Sequence, residues 1–226
     1  MSKTPSTTVK FIIGLVIFAG LPLIGWGVAD LGGFFSQPAR LMYVIGVAIL
    51  QLVTIIKFPA MGDNARVDQQ AAPEQRLALL LLQILPLAIV IGAPASDRHN
   101  FLTLNASDAI SYLGLIVFAL GFGLMQWAEA ELGRQFSINV TLQTDHQLIT
   151  SGPYRYVRHP RYVGIFAFNL GVALTFNSLL ATLLAVGLLL VLMWRIGTEE
   201  AMLRQAFGSD WTAYAQRSWR FIPFVY

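Results

Sequence analysis

Long apolar stretches constrain this chain more than any other feature of its sequence. Hydrophobic residues make up 56% of the 226 positions and charged residues only 12%, about half the charged share of a typical soluble domain. A helix needs about 20 predominantly apolar residues to cross a bilayer. Six segments meet or approach this length, at residues 10–29, 39–58, 76–94, 109–128, 161–176 and 178–197. The sequence therefore predicts an all-α fold, a polytopic membrane helical bundle with about six transmembrane helices.

The last two apolar segments predict a tight helical hairpin. Only Asn177 and Ser178 separate them, and either side chain is suited to cap the returning helix. Beyond the membrane, the final helix is expected to continue into the C-terminal tail until Gly208 ends it.

The basic residues predict the orientation of the bundle. If the N-terminus is cytoplasmic, all Lys and Arg residues lie in cytoplasmic segments except Arg40 and Arg98, a strong positive-inside bias. We therefore expect a multi-pass integral membrane protein with both termini in the cytoplasm. The short loops and the lack of a recognisable targeting signal favour a bacterial inner membrane.

The composition also excludes several kinds of chemistry. The chain has no cysteine, so disulfides, thiolate nucleophiles and cysteine metal sites are excluded. Its three histidines, His99, His146 and His159, are too scattered for a metal cluster, and no metal is expected. The pI near 9.4 is attributed to cytoplasmic arginines that attract lipid headgroups, with Arg217 and Arg220 among them, rather than to nucleic-acid binding.

The chain divides into two regions of different character. Residues 1–128 predict a scaffold of four transmembrane helices with little chemistry of their own. Residues 129–226 begin with a cytoplasmic connection that is too polar to span a membrane, continue into the hairpin and end in the tail. The apolar side chains of that connection are expected to cover a cofactor; they are Phe136, Ile138, Val140, Leu142, Leu148 and Ile149.

The run from Gly152 to Gly164 contains two Pro, three Tyr, three Arg and one His at the mouth of the fifth apolar segment. Pro160 suits the first turn of a helix, which places His159 at a helix N-terminus, where free backbone donors favour an anion. A polar ligand pocket explains this density. A belt of arginines and aromatics that only fixes orientation, with Gly164 for helix packing, explains it about equally well.

A second polar cluster favours the pocket. Arg195 and Glu199 lie four residues apart, on one face of the last helix. Because the tight hairpin returns this helix beside the previous one, both side chains are expected at the depth of His159 and Tyr162.

These residues resemble the isoprenylcysteine carboxyl methyltransferase family and its phospholipid N-methyltransferase relatives. The pattern is Arg158-His159-Pro160-x-Tyr162-x-Gly164, a hydrophobic hairpin, then Glu199-Glu200. The lead-in from His146 to Tyr154 and the tail from Phe207 to Pro223 are also similar, so the resemblance covers roughly residues 132–223.

The resemblance implies an S-adenosylmethionine-dependent methyltransferase with a cytoplasmic cofactor pocket between the connection and the last two helices. A lipophilic acceptor would enter from the bilayer: an isoprenylcysteine-like carboxylate, a lipid amine or a small thiol. Cofactor-binding roles carry over by position: His146, Leu148 and Ile149 on the adenosine side; Tyr154, Arg158, His159 and Tyr162 on the methionine side; Gly164 and Glu200 beside them; Glu199 on the ammonium.

Catalytic roles are expected for Arg195 and Glu199. Arg195 would hold an anionic acceptor. Glu199, His159 or Glu200 would act as a base only for an amine or thiol acceptor. The product would be S-adenosylhomocysteine.

Two other functions stay open. A membrane sterol reductase that uses NADPH has a similar His-Pro-x-Tyr motif, but it tends to carry Trp and Asn where this chain has Tyr154 and Arg161. A non-enzymatic membrane scaffold, whose arginines only orient it, would bind no cofactor at all. Neither the oligomeric state nor the identity of the acceptor follows from the sequence.

Overall fold

The computed structural model describes residues 7–57, 73–133 and 148–223. The α-helices among these residues are α1 Thr7–Leu15, α2 Leu21–Trp26, α3 Leu31–Phe35, α4 Pro38–Lys57, α5 Pro73–Arg98, α6 Asp108–Leu132, α7 Pro160–Thr175 and α8 Leu179–Gln216. Many large apolar side chains on α4, α5, α6 and α8 are exposed, as expected for surfaces that contact lipid. The prediction of an all-α helical bundle is confirmed.

The number of candidate membrane spans differs from the prediction of six. Four helical stretches among the described residues are long and apolar enough to cross a membrane: Pro38–Ile56, Gln75–Arg98, Asp108–Leu132 and Leu179–Gln216. A fifth candidate is a bent pair, Phe11–Trp26 with Val28–Phe35. Helix α7 has only 16 residues, about 24 Å at 1.5 Å per residue, which is shorter than a bilayer core.

The first apolar segment is bent rather than straight. A short π-helical turn, Val16–Gly20, joins α1 to α2, and the chain then turns by 83° before α3. Gly27 makes this turn possible, since its φ of +105° lies in a region that residues with a side chain rarely adopt. The predicted span at residues 10–29 is therefore not confirmed as a straight helix; the structure has a bend within it, after Trp26.

Helices α6 and α7 pack through their glycines. A Cβ atom added to Gly171 would lie 2.2 Å from the backbone nitrogen of Phe118, and one added to Gly164 would lie 2.7 Å from that of Met125. Small residues let the backbones of membrane helices approach closely. This contact sets the position of α7, whose first turn carries the motif residues.

The hairpin between α7 and α8 forms as predicted. The Ser178 hydroxyl oxygen accepts a hydrogen bond from the backbone N–H of Ala181 at 3.0 Å and so caps α8, while Asn177 turns the chain with a φ of +49°. Helix α8 is broken at Gly208, whose φ is +50°, also as predicted. Two aromatic residues beyond this break, Trp211 and Tyr214, are buried.

Candidate active site

The tail folds back onto the segment that precedes α7. The backbone N–H of Trp219 donates to the carbonyl of Tyr156 at 2.8 Å, and the N–H of Arg158 donates to the carbonyl of Trp219 at 2.7 Å. The Tyr214 hydroxyl donates to the carbonyl of Tyr154 at 2.7 Å. The tail, the first turn of α7 and residues 195–200 of α8 therefore meet at one end of the bundle.

Glu200 lies at the centre of this junction and binds three basic side chains, which together we call the Glu200 cluster. Its Oε1 accepts from Arg158 Nε at 2.9 Å and lies 3.3 Å from His159 Nε2, while its Oε2 lies 2.9 Å from Arg220 Nε. Glu200 is only 7% exposed, so its charge depends on these partners. Both carboxylate oxygens are thus occupied by protein.

Arg158 is also used structurally. Its Nη1 donates to the carbonyl oxygen of Ala215 at 2.9 Å and to that of Ser218, in addition to the Nε bond to Glu200. These bonds fasten the tail to the start of α7. They account for Arg158 and Glu200 without a ligand, although the sequence motif suggested cofactor binding for both.

A second set of side chains lies beside the Glu200 cluster and joins α7 to α8. The Tyr162 hydroxyl accepts from Arg195 Nε at 2.8 Å and donates to Glu199 Oε2 at 2.8 Å. The His159 and Tyr162 rings lie parallel, with their centroids 5.7 Å apart. Arg195 is 5% exposed, so the expected face shared by Arg195 and Glu199 points inward. We call Tyr162, Arg195 and Glu199 the Tyr162 triad.

Glu199 and Glu200 differ in what they leave available. Within the described part of the chain, Tyr162 is the hydrogen-bond donor to Glu199, and it binds Oε2 alone. Glu199 is only partly buried, and no hydrogen bond among the described residues engages its Oε1. Of the two adjacent carboxylates, Glu199 is therefore the one suited to bind a cationic group.

Tyr154 lines the same region. It is buried and lies within electrostatic reach of Glu199, Arg161 and Tyr162. Burial, together with the nearby Glu199 carboxylate, raises the pKa of the Tyr154 hydroxyl well above its ordinary value. Tyr154 therefore stays neutral at physiological pH. Its side chain can form hydrogen bonds and aromatic contacts there, but it is not suited to act as a base.

The other predicted site residues differ in where the structure places them. Leu148 and Ile149 are partly buried, as a lining role requires. Gly164 lies against the backbone of α6, so its missing side chain serves helix packing, the alternative explanation that the sequence left open. His146 and the four apolar residues of the connection before it lie outside the described residues.

Two ionic contacts were not foreseen. Arg220, assigned to lipid headgroups from the sequence, instead binds Glu200. Arg161, to which the sequence assigned no site role, lies with its Nε 3.6 Å from Glu129 Oε2 on α6. The pairing of an arginine with a distant acidic residue depends on how helices and tail pack, so no short sequence pattern could have identified it.

Comparisons with known proteins identify the family of this chain. A family model described as phospholipid methyltransferase matches residues 109–210. Protein-S-isoprenylcysteine O-methyltransferase B of Arabidopsis thaliana is 32% identical over 152 residues, which cover 66% of this chain and 73% of the relative. The chain belongs to the protein-S-isoprenylcysteine O-methyltransferase family. The predicted family resemblance is confirmed, and its named members are enzymes.

Two further comparisons agree with this family. A probable protein-S-isoprenylcysteine O-methyltransferase of Oryza sativa subsp. indica is 36% identical over 123 residues, which cover 51% of this chain and 62% of the rice protein. The matched part thus spans less than two thirds of that relative. A solved structure, that of the eukaryotic intramembrane Ras methyltransferase ICMT, superposes with a TM-score of 0.56 at 25% identity, covering 93% of this chain and 74% of the other.

The family and the apolar helices together identify this chain as a multi-pass integral membrane protein. The named plant relatives and the solved structure are eukaryotic, so they lend no support to the expected bacterial inner membrane. The cytoplasmic location of both termini rests on the charge distribution alone.

Proposed function

We propose that this protein is an S-adenosylmethionine-dependent methyltransferase that methylates a lipophilic acceptor at the Tyr162 triad. One observation carries the proposal: the Tyr162 hydroxyl joins a buried arginine and a partly buried carboxylate in a chain of this family. Two regions of the sequence that are more than 30 residues apart contribute to one polar site among buried apolar side chains. A belt of arginines and aromatics that only fixes the orientation of the protein in the membrane would not need that arrangement.

The residues present fit the cofactor. Glu199 offers a carboxylate oxygen to the cofactor's ammonium group, and the parallel His159 and Tyr162 rings offer aromatic faces, which suit a cation such as a sulfonium. When bound, the cofactor supplies a methyl group on a positively charged sulfur, so transfer needs no covalent protein intermediate. Leu148 and Ile149 remain the proposed adenosine side, with His146. Because Arg158 is engaged by Glu200, the proposed methionine side consists of Tyr154, His159 and Tyr162.

Arg195 is proposed to hold the acceptor. A buried guanidinium strongly favours an anionic partner, and Tyr162 fixes its direction through the hydrogen bond to Nε. A carboxylate acceptor would already be ionised at neutral pH, so it requires no general base. This agrees with a site in which Tyr154 is neutral and both oxygens of Glu200 are occupied.

Among acceptor classes, we propose an S-isoprenylated cysteine with a free carboxylate. The named relatives are O-methyltransferases of isoprenylcysteine, and the cation of Arg195 suits a carboxylate better than an amine. The site lies at the end of the bundle that the positive-inside rule assigns to the cytoplasm, where both the soluble cofactor and the modified cysteine would be accessible.

The test is a methyl-transfer assay with the full chain in lipid nanodiscs and methyl-labelled S-adenosylmethionine. An S-isoprenylated cysteine, phosphatidylethanolamine vesicles and a long-chain thiol are compared as acceptors. We expect label as a base-labile ester on the first. Label on the amine or the thiol alone would overturn the acceptor class, and label on none would overturn the function.

Arg195 is tested in the same assay. Arg195→Gln should lower kcat/KM about 100-fold, since a charge-assisted hydrogen bond contributes up to about 3 kcal/mol, and Arg195→Lys should restore part of the loss. The control is Arg204→Gln, which removes an exposed arginine further along α8 and should change the rate less than about twofold. Equal effects of the two Gln variants would argue against a specific role for Arg195.

A further inference from the structure

A polar cavity lies beside the short 3-10 turn Gly152–Arg155. Its volume is about 440 Å³, and the described residues that line it are Thr150, Arg155, Tyr214 and Arg217. Two of its walls come from segments that the Glu200 cluster holds together, namely the residues before α7 and the end of α8. No step of the proposed methyl transfer uses this cavity.

Among the described residues, the two arginines of the cavity differ from their neighbours in having no acidic partner. Arg158 and Arg220 pair with Glu200, and Arg161 pairs with Glu129. Within the part of the chain that the structure describes, neither Arg155 nor Arg217 forms an ion pair, and no acidic side chain lines the cavity. Two guanidinium groups and the hydroxyl of Thr150 make a donor set that suits phosphate.

Exposed aromatic side chains beside this cavity indicate its expected depth in the membrane. Tyr156 is 60% exposed and Trp219 is 41% exposed, and a backbone hydrogen bond joins the two residues. The Arg155 guanidinium lies 5.8 Å from the centre of the Tyr156 ring. Exposed Trp and Tyr beside arginine are typical of the headgroup level of a bilayer. This pattern makes the level of the phospholipid phosphates the expected depth of the cavity.

We propose that this cavity binds the phosphate of an anionic phospholipid headgroup, held between Arg155 and Arg217. The site is distinct from the methyl acceptor's, because the lipid is bound and not modified. A phosphate that bridges the two arginines ties the end of α8 to the turn before α7. It therefore stabilises the same docking of the tail on which the Glu200 cluster depends.

Thermal unfolding of the full chain in detergent tests this inference without cofactor or acceptor, so it is independent of the proposed function. A short-chain phosphatidylglycerol is titrated, with short-chain phosphatidylcholine and inorganic phosphate as separate arms. We expect phosphatidylglycerol to raise the melting temperature by about 3 °C or more, as for a ligand that stabilises by about 1 kcal/mol in a chain of this size. Phosphatidylcholine and inorganic phosphate should have little effect.

The variants Arg155→Gln and Arg217→Gln should each weaken the phosphatidylglycerol effect about tenfold in apparent affinity, while Arg155→Lys retains part of it. Arg204→Gln removes another exposed arginine, one outside the cavity, and should leave the effect intact. Equal losses in all three Gln variants would indicate general attraction to anionic lipid and overturn the site. Equal stabilisation by inorganic phosphate would overturn a lipid as the source of the phosphate, and no stabilisation by phosphatidylglycerol would overturn the proposal.

Discussion

Two ionic clusters occupy opposite ends of the bundle and use charge differently. At the end where α2, α3, α4 and α5 meet, Arg40 binds Asp97 at 2.8 Å and Arg98 binds Asp30 at 3.2 Å. Arg40 also lies over the Trp26 ring, 4.2 Å from its centre. This Trp26 cluster has two basic and two acidic side chains, and each charge is paired.

The Glu200 cluster, at the other end, is not balanced in this way. One carboxylate serves Arg158, His159 and Arg220, while the adjacent Glu199 is shared only with Tyr162 among the described residues. A balanced cluster fastens elements and offers little to a ligand. Because the basic side chains gather on Glu200, the neighbouring Glu199 is left for the proposed binding of the cofactor, so the proposal divides structural contacts from ligand binding between two adjacent acidic residues.

The largest expected effect comes from Glu199→Gln. This change keeps the shape of the side chain but removes the charge proposed to hold the cofactor's ammonium, so methyl transfer should fall about 100-fold or more. Among the described residues Glu199 forms no ion pair and only the hydrogen bond from Tyr162, which a Gln side chain can still accept, so the melting temperature should change by less than about 2 °C. Initial rates and thermal unfolding of the same preparation measure both quantities. A variant that loses activity only by unfolding would contradict this division.

Glu200→Gln should act on stability instead. It leaves Arg158 and Arg220 half-buried without their carboxylate, and breaking such a buried pair costs about 3–5 kcal/mol, equivalent to a melting temperature about 6 °C or more lower. Thermal unfolding measures the shift, with Glu199→Gln as the matched control one residue away. If the two variants had equal melting temperatures, the contrast between the two carboxylates would be lost.

Gly164→Ala separates packing from ligand binding within the motif. The added methyl group would meet the backbone of Met125, so we expect a loss of about 1–3 kcal/mol by overpacking. Gly123→Ala on α6 is the control, since a Cβ at that position contacts nothing within 4 Å. Thermal unfolding compares them. A stable Gly164→Ala protein that has lost cofactor affinity would instead restore Gly164 to the cofactor site.

Asp97→Asn tests the balanced cluster. Its side chain and that of Arg40 are mostly buried, so removing this charge should destabilise the protein by about 1–3 kcal/mol. The rate of methyl transfer per folded molecule should stay within about twofold of the original, because the cluster lies at the far end of the bundle. Active-site titration of the folded fraction, combined with thermal unfolding, checks both. A fall in rate without a fall in stability would mean that this cluster too takes part in the reaction.

The smallest effect is expected for Asp30→Asn in the same cluster. The Asp30 side chain is about half exposed, and ion pairs of this kind contribute roughly 0–1 kcal/mol. Chemical or thermal unfolding should therefore rank Asp30→Asn below Asp97→Asn. The reverse order would show that the contact with Arg98, and not that with Arg40, fastens the bend after α2.

Features that depend on local chemistry could be predicted from the sequence. Pro160 at the first position of α7, Ser178 as the cap of α8 and the break at Gly208 each follow from what one residue type permits in its own backbone. The contact between Tyr162 and Glu199 could also be predicted from the sequence, because a two-residue turn leaves α7 and α8 little choice of register.

Other features depend on contacts between distant parts of the chain. The ion pair of Arg158 with Glu200 depends on the tail, which returns through Trp219 to the start of α7. The bend after α2 required Gly27 to adopt a positive φ, which a continuous apolar run conceals. The Trp26 cluster was missed because its charged residues stand singly at the ends of apolar segments, where they resemble ordinary loop residues.

Isothermal titration calorimetry of S-adenosylhomocysteine and of NADPH into the solubilised protein and its Glu199→Gln variant tests the division of labour between Glu199 and Glu200 most directly. We predict that S-adenosylhomocysteine binds the unmodified protein, binds the variant about 100-fold more weakly, and that NADPH binds neither. Binding of NADPH would instead support a reductase, and equal affinity of the variant for S-adenosylhomocysteine would remove Glu199 from the site.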